Sequence, residues 1–129
     1  MTGKPFISIV VPAYNEEYAL PATLAALKAQ RYDGEFEIIV VNNASTDSTP
    51  LIAENAGCRV VNQPRKGYVH ALSAGFTAAR GEIIASTDAD TLVKPDWIQR
   101  MAGVLSRPGV VACGGVFEFS DGSRTIRLL

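Results

Sequence analysis

Apolar residues fall along this chain in two rhythms. Phe6 to Val11 and Phe36 to Val41 are nearly unbroken apolar runs rich in β-branched residues, the pattern of strands buried on both faces. Cys58 to Val61 and Glu82 to Ser86 are shorter runs that read as a third and a fourth strand. Between the runs, apolar positions step by three and four. Leu20, Leu24 and Leu27 predict a helix with Pro21 near its first position. Pro50 opens a short helix to about Ala56, with Gly57 as its stop signal. Val69, Leu72, Phe76 and Ala79 predict an amphipathic helix with those side chains as its apolar face, ended by Gly81. Pro95 starts a further helix with Ile98, Met101 and Leu105 on one face. Val110 to Phe119 is the last strand-like run, softened by Gly114-Gly115, where a bulge or a close backbone approach is expected.

Strands alternating with helices imply right-handed crossovers and a mostly parallel, Rossmann-like α/β sheet with helices on both faces, here as one domain over residues 1–129. Ligands of such sheets bind outside the carboxyl ends of the strands. Three polar clusters occupy those ends: Pro12-Ala13-Tyr14-Asn15-Glu16, Asn42-Asn43, and Asp88-Ala89-Asp90. In extended backbone, residues i and i+2 point the same way, so Asp88 and Asp90 can converge on one spot. Two hard oxygen ligands suit Mg²⁺ or Mn²⁺, which take one or two protein carboxylates and complete their shell with waters and phosphate oxygens. Taken alone, Asp-x-Asp also reads as a polar turn. The co-location of all three clusters at strand ends favours a site.

Composition narrows the choices. With a net charge of −1, the chain has no general basic surface for nucleic acid or anionic membrane. No apolar run approaches the roughly 18 residues of a membrane-spanning helix. Cys58 and Cys113 lie far apart and in no metal-ligand spacing, so free thiols in a reducing cytoplasm are expected. Membrane association would come only through partners or further segments. The single histidine, His70, sits beside the apolar face of its helix and reads as a solvated position. The turn after the first strand lacks G-x-G-x-x-G, and no G-x-x-x-x-G-K-[ST] occurs anywhere. Phosphates would therefore find no glycine-rich cradle, and a metal at Asp88 and Asp90 would have to neutralise them.

Five motifs then occur in order: Ser8 to Glu17 (SIVVPAYNEE), Val40 to Asp47 (VVNNASTD), Arg65-Lys66-Gly67, Ala79 to Ile84 (ARGEII), and Asp88-Ala89-Asp90. Together they resemble the nucleotide-sugar-binding half of family-2-type glycosyltransferases with the GT-A fold, over about Phe6 to Val116. The resemblance implies a nucleoside diphosphate sugar along the strand ends. Pro12, Tyr14 and Glu16 would contact the nucleoside, Lys66 would approach a phosphate, Asp88 and Ala89 would lie by the ribose, and Asp90, with Asp88, would hold Mn²⁺ or Mg²⁺. Asn42 stands where the family usually carries Asp, and on that departure a UDP-sugar is favoured. Asp47 is expected to stabilise its own loop or the following helix start.

The family's acceptor-binding segment and carboxylate base usually follow this half. After Asp96 the only carboxylates are Glu118 and Asp121, neither in the family's context for the base, and Asp121-Gly122-Ser123 reads as a turn. The catalytic residues and the acceptor thus stay open. The chain reads as the donor domain of an inverting glycosyltransferase, or as a nucleotide-sugar-binding module or subunit completed by a second half or partner chain. Apolar surface in Val110–Leu129 would favour a homo-oligomer. A nucleotidyltransferase is disfavoured, because the first loop is not the glycine-rich, arginine-containing loop such enzymes carry.

Overall fold

A computed structural model describes residues 3–114 together with the backbone of 116–118 and 125–127. The elements are β1 (Ile7–Ala13), α1 (Leu20–Lys28), β2 (Phe36–Asn42), α2 (Thr49–Asn55), β3 (Arg59–Asn62), α3 (Tyr68–Ala78), β4 (Ile83–Ser86), α4 (Trp97–Leu105), β5 (Val116–Glu118) and β6 (Thr125–Arg127). The first four strands form a parallel sheet in the order β3-β2-β1-β4. The chain winds outward from β1 to β3, then crosses back past β1 to lay down β4. A right-handed crossover that reverses direction must change faces. Accordingly, α1, α2 and α4 share one apolar cluster with Ile7, Ile9, Val11 and Val40, while α3 packs on Val10, Ile39 and Val41 on the other face.

The α1 face is as the leucine spacing predicts: Leu20, Leu24 and Leu27 are all buried. The face of α3 is not. Its buried residues are Ala71 and Gly75, whereas Val69 is 73% and Phe76 45% exposed. The reason is close approach. A Cβ on Gly75 would stand 2.3 Å from Val10 Cγ1, so this helix lies against the sheet through a stripe of small residues. The larger side chains Val69, Leu72 and Phe76 are turned outward, where they line a shallow hollow with Ser73 and Thr77.

The expected strand at Val110–Phe119 also needs correction. Residues 110–114 are irregular, and β5 pairs antiparallel with β6 in a separate two-stranded sheet. Although α4 precedes it, the run carries Gly114-Gly115, and glycine favours neither a regular strand nor a packed sheet position. Phe119 and Asp121 lie outside the described residues, as does the side chain of Glu118.

One buried polar side chain ties the far end of the sheet together. Ser8 is 0% exposed in the middle of an apolar run. Its hydroxyl donates to Glu37 Oε1 at 2.9 Å and accepts the N–H groups of Gly81 and Arg80 at 2.8 and 3.1 Å. Glu37 in turn pairs with Arg59 at 3.5 Å. Removing the hydroxyl takes its partner from the Gly81 N–H, while the Arg80 N–H keeps Glu37 Oε1 at 3.2 Å, so Ser8→Ala should lower stability by about 1–3 kcal/mol. A urea denaturation curve with an unchanged midpoint would contradict this.

Candidate donor-binding site

The switch in direction falls between β1 and β4, and there the strand ends open into a cleft of about 470 Å³. From β1 and its following loop come Pro12, Ala13, Tyr14 and Glu16; from the loop after β4 come Asp88, Ala89 and Asp90. The opposite wall is Asn43, Lys66, Gly67 and Tyr68. Seven of the eight site residues read from the sequence therefore line one cleft: Pro12, Tyr14, Glu16, Lys66, Asp88, Ala89 and Asp90. Asn42 does not line it. Its amide donates to Asn62 Oδ1 at 3.0 Å and its carbonyl accepts the Ser45 N–H at 3.2 Å, closing the loop after β2.

The two loops after β1 and β2 are laced together. Asn15 and Ala44 both adopt left-handed backbone, at φ 51° and 60°. Asn15 Oδ1 accepts the Thr46 N–H at 2.8 Å, and its own N–H reaches Ser45 Oγ at 3.1 Å. The Glu16 N–H donates to Thr49 Oγ1 at 2.9 Å, and the Ser48 N–H to Glu17 Oε2 at 3.1 Å. Asp47 serves its own loop and the start of α2, as expected. It accepts the N–H groups of Thr49 at 2.9 Å and Glu17 at 3.3 Å. Desolvation raises its pKa, but the hydrogen bonds from Thr49 and Glu17 outweigh that and hold the carboxyl below its ordinary value.

Sequence reasoning placed Asn43 in a strand-end cluster without giving it a role, and overlooked Tyr68. Asn43 is buried and organises the turn that presents Lys66. Its amide donates to the carbonyls of Gln63 and Arg65 at 2.9 and 2.8 Å, and its carbonyl accepts the Gly67 N–H at 3.0 Å. Its place beside Asn42 at a strand end was the available signal. Tyr68 directly follows the Arg65-Lys66-Gly67 motif. Across the cleft, Lys66 Nζ donates to Tyr14 Oη at 3.2 Å and lies 4.9 Å from the centroid of its ring. That contact combines a hydrogen bond with a cation–π attraction.

Electrostatics in the cleft are lopsided. Desolvation, then the charges of Asp90, Asp47 and Asp88, push the Glu16 carboxyl above its ordinary pKa. Burial and then Asp88 push the Tyr68 hydroxyl up as well. Negative charge is thus concentrated on one wall, with the Lys66 ammonium on the other. Among the described residues no group of three or more His, Cys, Asp or Glu side chains forms a metal-binding cluster. Three carboxylates, two tyrosines and a lysine around an open cleft at a switch point are suited to a polyanion bridged by a cation.

The sequence profile of glycosyl transferase family 2 matches residues 8–129. The chain belongs to that family. This family 2 chain is 34% identical over 128 residues to the putative glycosyltransferase EpsH of Bacillus subtilis, covering 95% of its own length and 37% of that protein's. It is 44% identical over 108 residues to the uncharacterized glycosyltransferase Rv0539 of Mycobacterium tuberculosis, covering 84% and 47%. Among solved structures it resembles the mannosyltransferase PcManGT of Pyrobaculum calidifontis, in complex with GDP-Man and Mn²⁺. The TM-score is 0.78 at 31% identity, over 84% of this chain and 34% of that one. It also resembles glucosyl-3-phosphoglycerate synthase of M. tuberculosis, in complex with Mn²⁺, UDP and glucosyl-3-phosphoglycerate. There the TM-score is 0.72 at 30% identity, over 82% and 42%. The chain thus spans less than half the length of these relatives. Its parallel sheet is that of the GT-A glycosyltransferases.

Proposed function

We propose that this chain forms the donor-binding part of an inverting glycosyltransferase and takes a nucleoside diphosphate sugar in the cleft between β1 and β4. The observation that carries the reading is that Tyr14, Glu16, Asp88 and Asp90 line one cleft with Lys66, whose ammonium meets the Tyr14 hydroxyl. The nucleoside lies along Pro12, Tyr14 and Glu16, where an aromatic ring can pack beside a base. The diphosphate extends toward Lys66 and the aspartates. Uridine is the base we propose; Asn42, whose departure from the family's usual Asp favoured it in the sequence, closes the loop after β2 and does not line the cleft.

The residues fit a divalent cation. Asp88 and Asp90 are hard oxygen donors, and their charge already disturbs Glu16, a repulsion that a cation relieves. With two protein carboxylates, the remaining positions suit waters and phosphate oxygens, the usual arrangement for Mg²⁺ and equally open to Mn²⁺. When bound, such an ion neutralises charge on the departing diphosphate. Asp90 and Asp88 hold it, Lys66 contributes a second positive charge to the phosphates, and Tyr14 and Glu16 orient the nucleoside.

Every carboxylate lining the cleft is engaged on the donor side in this reading, so deprotonation of an acceptor hydroxyl falls to a group elsewhere. A positioned general base is worth about 10²–10⁴ in rate. The 129-residue chain should therefore bind a sugar nucleotide but transfer the sugar extremely slowly, with slow hydrolysis at most. A coupled assay for released nucleoside diphosphate, run over several sugar nucleotides and acceptors, tests this. Robust acceptor-dependent turnover by a confirmed monomer would overturn it, and tighter binding of GDP than UDP would overturn the choice of base.

A further inference from the structure

Thr23 is 0% exposed on α1, a helix that contributes no side chain to the cleft. A threonine inside a helix ordinarily turns its hydroxyl back to the carbonyl four residues earlier. Here that carbonyl, Ala19, is 3.2 Å away, whereas the carbonyl of Ala89 is only 2.7 Å away. A hydroxyl has one proton to give, and the shorter, buried contact is the one to Ala89. Ala89 is the residue between the two aspartates, and its side chain is itself only 3% exposed. The peptide between Asp88 and Asp90 is thus drawn into the core while both carboxylates face the cleft.

The chain just past the end of α1 grips the segment again. Gln30, 8% exposed, donates from Nε2 to the Lys94 carbonyl at 2.7 Å and accepts the Ile98 N–H at 3.1 Å. On the strand side, the Thr87 N–H bonds the Val10 carbonyl at 3.2 Å. Without the Thr23 hydroxyl, the Ala89 carbonyl would be left buried and short of a partner. Turning it out to water would rotate the Ala89–Asp90 peptide and redirect Asp90.

We infer that Thr23 is a positioning residue: its buried hydroxyl holds the Ala89 carbonyl and so aims Asp88 and Asp90 at a common point. The inference rests on the donor-site reading above. Groups that hold a metal ligand from behind typically change metal affinity by about 10–100-fold when removed. The test is calorimetry of UDP and GDP, each with and without Mn²⁺, on the wild-type chain, Thr23→Val, Thr23→Ser and Ser8→Ala. Thr23→Val keeps the shape and loses the hydroxyl; Thr23→Ser keeps the hydroxyl. Ser8→Ala removes a comparable buried bond at the opposite end of the sheet.

The expected result is that Thr23→Val cuts the Mn²⁺-dependent gain in nucleotide affinity by about tenfold or more. Affinity without Mn²⁺ should hardly change, and Thr23→Ser and Ser8→Ala should keep the gain. A full gain in Thr23→Val beside a wild type that shows it overturns the inference alone. An equal loss in Ser8→Ala also overturns it, since the effect would then be general loosening. No Mn²⁺ gain in the wild type sinks the donor-site reading and the inference together. Should Thr23→Val not fold, Thr23→Ala gives the same readout.

Discussion

Asp90→Ala should abolish the strengthening of nucleoside diphosphate binding by Mn²⁺. In the wild-type chain that strengthening is expected to reach at least about tenfold, equivalent to about 1.4 kcal/mol. In the proposed site the phosphates would meet no glycine-rich loop; the groups offered to them would be Lys66 and the cation held by the aspartates. Asp90 is exposed and lines the cleft. Its replacement leaves the core intact, and surface changes of this kind usually stay within about 0.5 kcal/mol of wild-type stability. The loss should therefore appear in binding and not in folding. Calorimetry of UDP and GDP with and without Mn²⁺ measures it directly. Equal affinities in both conditions for the wild type, or an undiminished Mn²⁺ effect in Asp90→Ala, would refute the assignment.

The second large effect concerns folding. Gly75→Ala would ordinarily stabilise a helix, by about 1 kcal/mol on propensity alone. At this position the new methyl would stand 2.3 Å from Val10 Cγ1 and 3.0 Å from Val41 Cγ2. Val10 and Val41 are fully buried strand residues, so neither can swing aside. Overpacking of this kind costs about 1–3 kcal/mol and exceeds the propensity gain. Gly75→Ala should lower the melting temperature by several degrees, and Gly75→Leu should remove a large part of the roughly 5–15 kcal/mol that a domain of this kind has in all. Gly103 on α4 supplies the contrast, because a Cβ there meets nothing within 4 Å. Gly103→Ala should raise stability by up to about 1 kcal/mol. A thermal melt in which Gly75→Ala matches or exceeds wild type would show that α3 can lift off the sheet at no cost.

Much of this arrangement was legible in the chain because strands of a parallel sheet are buried on both faces and leave continuous apolar runs. Phe6 to Val11 and Phe36 to Val41 locate β1 and β2 to within two residues at either end. The polar clusters that follow those strands, and the one after β4, had to share an edge once the strands were parallel. The face of α3 was hidden because two stripes compete there. Val69, Leu72 and Phe76 form the larger apolar stripe, but Ala71 and Gly75 form the one that lets the backbone close on Val10 and Val41. Hydrophobicity ranks side chains by size; a close helix–sheet contact selects the small ones. The buried polar groups were hidden for another reason. Ser8 and Thr23 find partners 73 and 66 residues away, and no local pattern encodes such a bond. Tyr68 entered the cleft, and Asn43 gained its role, only when the turn carrying Lys66 was placed.

The lacing of the loops after β1 and β2 bears on how a donor would arrive. Asn15, Ser45, Thr46, Asp47 and Thr49 hold the backbone of Asn15 to Glu17 in one frame through bonds within the protein. The conformational entropy of that frame is lost during folding, so capture of a nucleoside on this side requires little further ordering. Encounter should then resemble rigid-body docking, with differences among donors expressed mainly in how long each one stays.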